Sequence, residues 1–333
     1  MPEASRHESE LPQVTVVIPT HNRRRLLGIT LASVLAQETV DFEVIVVDDG
    51  STDDTPEFLQ EAGDARVRVL RNQPARGQSR ARNQGIEAAR GQWVAFCDDD
   101  DLWAPDKLSE QLTAATKTHR RWVYTGSVNI NARNEIVAVN RLPTPDEVLA
   151  RLGESNVIPG GCSGVIVERS LLESAGLFDE RLSPMTDWDL WLRLARQAPP
   201  AVVERPLVAY RVHSENLSLD RKRMESDFAE MKRRCPTADA GIFYRYLGWW
   251  CVRVGRRREG LRLFLRAARA HSRHYRWRDA APDLIYVVRA MAESRGLTIP
   301  TRKSHWGVSD PDGDWEQEVA AWVSDLCRTV QVD

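Results

Sequence analysis

From Val14 onward the chain alternates short apolar runs with stretches of helical periodicity, the order expected of a parallel sheet packed between helices. Val14-Thr15-Val16-Val17-Ile18 predicts a buried first strand, broken by Pro19-Thr20-His21-Asn22. Leu27, Leu31, Val34 and Leu35 then recur at helical spacing within Arg24 to Gln37. A second strand is predicted over Phe42 to Val47. It runs into the turn-rich segment Asp48 to Thr55, where Thr52 or Asp53 is placed to cap a helix over Pro56 to Glu61. Val67 to Leu70 reads as a third strand, Gly77 to Ala89 as a helix and Trp93 to Phe96 as a fourth strand. Tyr124–Val128 and Ile136–Val139 flank an Asn-Ala-Arg-Asn turn and predict a hairpin. The small-residue loop Pro159 to Gly164 precedes a strand at Val165–Val167 and suits either a plain turn or close backbone approach to a ligand. An amphipathic helix follows over Asp187 to Arg196, with Thr186 or Asp187 as its expected N-cap, and Val202–Val203 and Leu207–Tyr210 close the region.

Past Ser218 the strand signals stop and the sequence becomes helix-forming and Arg-rich. The expected organisation is a tail over 1–12, an α/β domain over 13–218 and a C-terminal helical module over 219–333. Helices are predicted at Phe243–Val254, Arg258–His271 and Asp283–Glu293, with a short one around Trp315–Cys327. Arginines from Arg253 to Arg278, interleaved with Trp249, Trp250, Tyr275 and Trp277, suit either a solvated helical face or peripheral contact with an anionic membrane surface or phosphorylated acceptor.

At 333 residues with 42% hydrophobic content the chain can bury a substantial core. A formal net charge of −2 argues against binding nucleic acid through bulk charge. Five cysteines without CxxC spacing fit a reducing compartment, so a cytoplasmic location is expected. The polar start, Met1 to Gln13, lacks the apolar core of a secretion signal, and no later apolar run is long enough to span a bilayer. Peripheral association with the inner face of a membrane remains compatible with this pattern, as does an oligomer.

Chemistry concentrates at the predicted strand ends. Cys97 is followed by four consecutive acids, Asp98 to Asp101, directly after a buried strand. Such a run needs a hard cation, basic partners or helix-end donors to offset its repulsion. Thr20-His21-Asn22 and Asp48-Asp49 stand at the ends of the first two strands, the edge where open α/β sheets take ligands. There, Asp49 could accept from a base imide N–H, the Thr20 loop could cover a ribose or base edge, and the acidic run could hold a metal facing a diphosphate.

Four segments in this order carry a resemblance: Val17 to Asn22, Val46 to Thr55, Ser79 to Ile86, and Asp98 to Leu108. Together they resemble the family 2 glycosyltransferases of GT-A fold, with the likeness running to about Ser218. The resemblance implies an inverting hexosyltransferase that uses a nucleotide-diphosphate sugar, usually UDP-linked, with Mn or Mg, as in polysaccharide biosynthesis. Its fold is an α/β, Rossmann-like, mostly parallel sheet between helices. Carried over by position, Pro19, Thr20 and Asn22 flank the nucleotide, Asp49 contacts the base, and Arg76 or Arg82 approaches the nucleotide. The DxD element falls on Asp98 and Asp100, with Asp100 the direct metal contact and Asp99 near the ribose. Asp187 in Met185-Thr186-Asp187-Trp188 resembles the family's Glu-Asp base motif with Thr186 in place of Glu, and Asp189 stands in reserve. Tyr210 to Ser218 resembles the closing motif, whose His213 reaches metal or diphosphate with Arg211 in support. Trp188 and Trp191 suit either stacking on a sugar or the core. The implied acceptor is a saccharide, a lipid-linked saccharide or a protein. The competing reading is a catalytically idle sugar-nucleotide binder or scaffold that recruits partners through the helical module. A phosphoryl-transfer enzyme is disfavoured because Leu-Trp-Ala-Pro follows Asp101.

Overall fold

The computed structural model describes residues 11–213, 216–273 and 315–329. The predicted helix at Asp283–Glu293 and the residues Tyr275, Arg276, Trp277 and Arg278 lie outside them. The elements run β1 (Val14–Thr20), α1 (Arg24–Leu35), β2 (Phe42–Asp48), α2 (Thr55–Glu61), β3 (Val67–Arg71), α3 (Gln78–Glu87), β4 (Trp93–Phe96), β5 (Leu102–Trp103), α4 (Lys107–Thr118), β6 (Trp122–Ile130), β7 (Ile136–Val139), α5 (Pro145–Arg151), β8 (Val165–Glu168), α6 (Arg169–Ala175), α7 (Thr186–Gln197), β9 (Ala201–Arg211), α8 (Arg221–Arg234), α9 (Ala240–Arg253), α10 (Arg257–Arg273) and α11 (Trp315–Thr329).

The nine strands among the described residues join one sheet in the order β3-β2-β1-β4-β8-β6-β9-β5, with β7 paired to β6. The first half, β3-β2-β1-β4, is parallel, as the alternating pattern predicts. Beyond β4 the sheet is mixed: β8 runs antiparallel to both β4 and β6, β6 and β9 are parallel, and β5 closes antiparallel on β9. Every residue of β1 and β2 is buried, which explains their near-continuous apolar sequence, since helices cover both faces. Edge strand β3 carries Arg68 and Arg71 among its apolar residues, and β5 is only two residues long, both devices that blunt a sheet edge.

Successive strand residues feed opposite faces. Val16, Ile18, Val44, Val46 and Ala95 pack with Leu27, Leu31 and Val34 of α1 and Leu108 of α4. Val17, Val94 and Phe96 face the other way, toward Ile86 of α3 and Leu190, Trp191 and Leu194 of α7. Helix α3 presses close to β1 at Gly85, where an added Cβ would lie 2.4 Å from Val17 Cγ1. Trp191 is fully buried and stacks on Trp122 at 6.2 Å between ring centres, so it belongs to the core. Trp188 packs against Phe228 of α8 and donates its indole N–H to the Leu152 carbonyl. Burying side chains of this size contributes about 1.5–3 kcal/mol each before ordering costs.

Met224, Phe228 and Met231 of α8, and Phe243 and Leu247 of α9, belong to the same apolar cluster as Val17, Phe96 and Trp191. The compositional change at Ser218 is thus crossed by a continuous core. On the opposite face Val319, Trp322 and Val323 of α11 pack with the residues around α1 and β9, and Glu318 pairs with Arg205.

Candidate active site

The ends of β1, β2 and β4 converge on one cavity of about 800 Å³. Its wall includes Pro19, Thr20, Asp49, Arg82, Asp98, Asp99, Asp100 and Asp187. The first loop is fixed from behind, because Asp49 N–H donates to the Thr20 carbonyl (2.8 Å). Asp48 turns back to receive Ser51 N–H (2.9 Å) and Arg71 (3.2 Å). Asp49 faces the cavity, where Oδ1 accepts from Asn72 Nδ2 (2.9 Å) and Arg76 N–H (2.8 Å) and Oδ2 from Gly77 N–H (2.7 Å). Asp49 therefore organises the loop before α3 while lining the pocket. Arg76 contributes its backbone, and its exposed residue stands outside the lining. Asn22 also lies outside it: its Oδ1 accepts from Thr52 N–H (2.7 Å) and braces the loop before α2.

The four acids of the run take different principal partners, with Arg23 shared between Asp99 and Asp100. Asp98 accepts from Arg82 (2.5 Å). Asp99 accepts from Thr20 Oγ1 (2.8 Å) and Arg23 (3.3 Å). Asp100 meets His213 Nε2 at 2.8 Å and Arg23 Nη1 at 2.5 Å. Asp101 is fully buried and accepts from Ser163 Oγ (2.6 Å) and Arg211 N–H (2.9 Å). Burial, then the charge of Asp100, pushes Asp99 up to about 7. The same causes push Asp101 well above the carboxylate range. Burial opposes ionisation of Asp100 as well, yet the hydrogen bond from His213 and the charge of Arg23 bring its pKa below the usual value. An ionised carboxylate beside an imidazole is a suitable start for a hard-cation site. Among the described residues, no group of three or more His, Cys, Asp or Glu is arranged to hold a metal. Asp100 and His213 would supply one oxygen and one nitrogen donor to a cation placed there, a mixed pair that suits Mn better than the oxygen-seeking Mg. Arg23 meanwhile bonds the same Asp100 oxygen that His213 meets.

Across the cavity, Asp187 stands in the first turn of α7. It is not the N-cap expected from the sequence. Met185 holds that position without a side-chain cap, and Asp187 Oδ1 receives Trp188 N–H (2.7 Å) while Oδ2 receives Asn156 Nδ2 (3.0 Å). Burial, with the negative charge of Asp98, pushes its pKa up to about 6 against the pull of Trp188 N–H, Arg82 and Asn156. A carboxylate poised there suits general-base work near neutrality. The reserve residue Asp189 is instead clamped by Arg193 (2.8 Å) and Arg234 (2.8 Å), away from the lining. Arg23 and Asn156 carry no signal of their own in the sequence, whereas Ser163 lies in the Pro159 to Gly164 loop that the sequence marks as suited to close backbone approach to a ligand.

A curled α/β sheet with a strand-end cavity rich in carboxylates is the architecture of GT-A glycosyltransferases. TarS 1–349 of S. aureus, solved with UDP-GlcNAc, matches at TM-score 0.55 and 16% identity over 86% of this chain and 93% of that one. The mannosyltransferase PcManGT of Pyrobaculum calidifontis, solved with GDP-Man and Mn2+, matches at TM-score 0.54 and 17% identity over 96% and 87%. At these identities the likeness establishes the fold. The profile of Glycosyl transferase family 2 matches residues 15–172. TuaG of Bacillus subtilis, named as a teichuronic acid biosynthesis glycosyltransferase, is 30% identical over 62% of this chain and 82% of its own length. The Escherichia coli protein WfgD, named UDP-Glc:alpha-D-GlcNAc-diphosphoundecaprenol beta-1,3-glucosyltransferase, is 28% identical over 66% and 83%. The chain belongs to glycosyltransferase family 2 and is a glycosyltransferase.

Proposed function

We propose that this glycosyltransferase moves a hexosyl group from a UDP-linked sugar to a lipid-linked saccharide, with inversion at the anomeric carbon. The reading rests above all on the placement of Asp187 across one cavity from the acidic run, with a pKa of about 6. In the transfer step the acceptor hydroxyl oxygen forms a bond to the anomeric carbon as the bond to the diphosphate oxygen breaks. The hydroxyl proton passes to Asp187, and the diphosphate leaves with the bonding pair. Asp49 takes the base edge, Pro19 and Thr20 flank the nucleoside, Asp99 serves the ribose, and Arg82 and Asp98 border the diphosphate. Asn22 and Arg76 shape the loops from behind. Asp100 and His213 would hold a Mn or Mg ion, which when bound neutralises the departing diphosphate. The acceptor class is supported by the activity for which WfgD is named and by the succinoglycan biosynthesis protein ExoO of Rhizobium meliloti, 32% identical over 64% of this chain and 64% of its own length. No helix among the described residues is long and apolar enough to cross a membrane. In the same proposal the chain meets its lipid-linked acceptor peripherally, from the cytoplasmic side. The test is a panel of UDP- and GDP-sugars with a lipid-linked saccharide, with Mn and with EDTA, reading nucleotide release and product configuration by NMR. Metal-dependent release with an inverted product is expected; a retained configuration would overturn the mechanism.

A further inference from the structure

The cavity extends well beyond the strand ends. Its far wall is built by α9 of the C-terminal module, which contributes Phe243, Tyr246, Trp249 and Trp250. Tyr210 of β9 meets Trp250 edge to face at 5.7 Å between ring centres, and Tyr246 and Trp249 meet Trp250 at 6.0 and 5.2 Å. Trp250 is thus buried as the hub of an aromatic cluster, not displayed beside the arginines of α10. Tyr246 is the member left open, at 44% exposure.

Between this wall and Asp187 the floor is a glycine. Gly161 has φ +56°, and an added Cβ would sit 3.8 Å from Tyr210 Cε2 and 4.0 Å from Asp187 Oδ2. The absence of a side chain at Gly161 keeps the space between the Tyr210 ring and the Asp187 carboxylate clear. Amides border the same cavity: Asn156, bonded to Asp187, and the pair Asn129–Asn140, bonded to each other at 2.9 Å. Aromatic faces suit the C–H faces of a pyranose, and side-chain amides suit its hydroxyls. A groove for lipid chains would lack those amides.

We infer that α9 and the Gly160–Gly161 turn form the acceptor subsite, in which a saccharide ring lies against Tyr246 and the Tyr210–Trp250 cluster and presents a hydroxyl to Asp187. The inference rests on the proposed role of Asp187 and adds where the acceptor saccharide binds and which side chains hold it. The appended helical module is then part of the acceptor-binding machinery, reaching the reacting centre through one helix.

The test uses the full chain and the p-nitrophenyl glycosides of N-acetylglucosamine, glucose and galactose as probes, with binding followed by saturation-transfer NMR. Wild type is expected to bind at least one of them. Tyr246→Ala should weaken that binding by roughly two- to tenfold, the range of an aromatic contact, and Tyr246→Phe should restore it. UDP affinity measured with Mn should not change in either variant. Trp249→Ala carries the same expectation if Tyr246→Ala does not fold. Unaltered glycoside binding in the folded variant, or no binding of any glycoside to wild type, would overturn the subsite. Failure of UDP to bind wild type would instead strike the donor reading.

Discussion

Asp187 is the residue where activity and stability should part company. Its ordinary value is 3.8 and its value in the folded chain about 6, a separation of about 2 pH units. At about 1.36 kcal/mol per unit, the ionised carboxylate costs the folded chain at most about 3 kcal/mol. Partial contact with solvent in the cavity reduces this to about 1–2 kcal/mol. The sign follows from the direction of the shift. Well below pH 3.8 the group is protonated in both folded and unfolded chains and no cost arises. Between 3.8 and about 6 the unfolded carboxyl ionises while the folded one stays protonated, so the cost accumulates across that window and applies in full above about 6. Asp187→Asn should accordingly raise the urea midpoint at pH 8 and leave it nearly unchanged at about pH 3. The same substitution should lower kcat about 10²- to 10⁴-fold, the usual contribution of a general base. The wild-type rate should rise with pH through about 6. Asn156→Ala, which removes a hydrogen bond that favours the carboxylate, should move that rise to higher pH. Nucleotide release at saturating donor, followed across pH, gives all three readings. A variant Asp187→Asn within tenfold of wild type, or a rise unmoved by Asn156→Ala, would refute the assignment.

Arg23 occupies the Asp100 oxygen that faces His213. Arg23→Gln should therefore tighten Mn binding by roughly tenfold in calorimetric titration without nucleotide, the scale of one charge-assisted hydrogen bond; weaker binding would show that Arg23 supports the metal. Asp101→Ala strands the Ser163 hydroxyl and the Arg211 N–H, both buried in the wild-type interior. It should cost about 2–4 kcal/mol in urea denaturation, and Asp101→Asn, which keeps one acceptor, should cost less. Gly85→Ala drives a methyl against Val17 and should cost about 1–3 kcal/mol. Val17→Ala in the same chain should relieve part of that loss, and strict additivity in the double-mutant cycle would refute the contact.

The parts of the fold visible in sequence are those that local pattern encodes. Strands β1, β2 and β4 are apolar runs ended by polar turns, so their C-terminal edge and its carboxylates could be placed without coordinates. Strand β5 was not recognised, since Leu102–Trp103 is too short to show a period and sits between the acidic run and Pro105. Strand β9 looked like two fragments because Glu204-Arg205-Pro206 interrupts it. The structure carries it through with register shifts opposite Gly126. The cap position of α7 was misplaced for a related reason: Asp187 has the residue type of a cap, but Asn156 and Trp188 N–H bind its carboxylate in the cavity. Arg23 sits in the run Arg23-Arg24-Arg25 and Asn156 in an ordinary polar stretch, so neither carries a local signal. Their roles arise from chain segments separated by 76 and 31 positions. The module boundary shows the same limit. Composition marks where strands stop, but only packing reveals that Phe228 and Phe243 join the core shared with β1 and α7.

Four adjacent carboxylates at the end of a buried strand could not coexist if all faced one another, and the turn after β4 resolves this by sending them apart. Asp98 goes to Arg82 on α3, Asp99 to Thr20 at the end of β1, and Asp100 to His213 after β9. Asp101 goes inward, to Ser163 in the glycine loop and the backbone of Arg211. Each contact joins the run to a different segment of the chain. The Ser163 link is doubled, because the same hydroxyl also accepts Asp98 N–H at 3.0 Å. Through Ser163 the run also grips the loop that contains Gly161, the floor beside Asp187. The acids proposed for the donor and the base proposed for the acceptor are therefore held by one hydrogen-bonded frame. Asp101, which faces no ligand in this proposal, is the member whose loss should disturb both sides at once, raising KM for donor and acceptor together where Asp100→Ala should act through the donor.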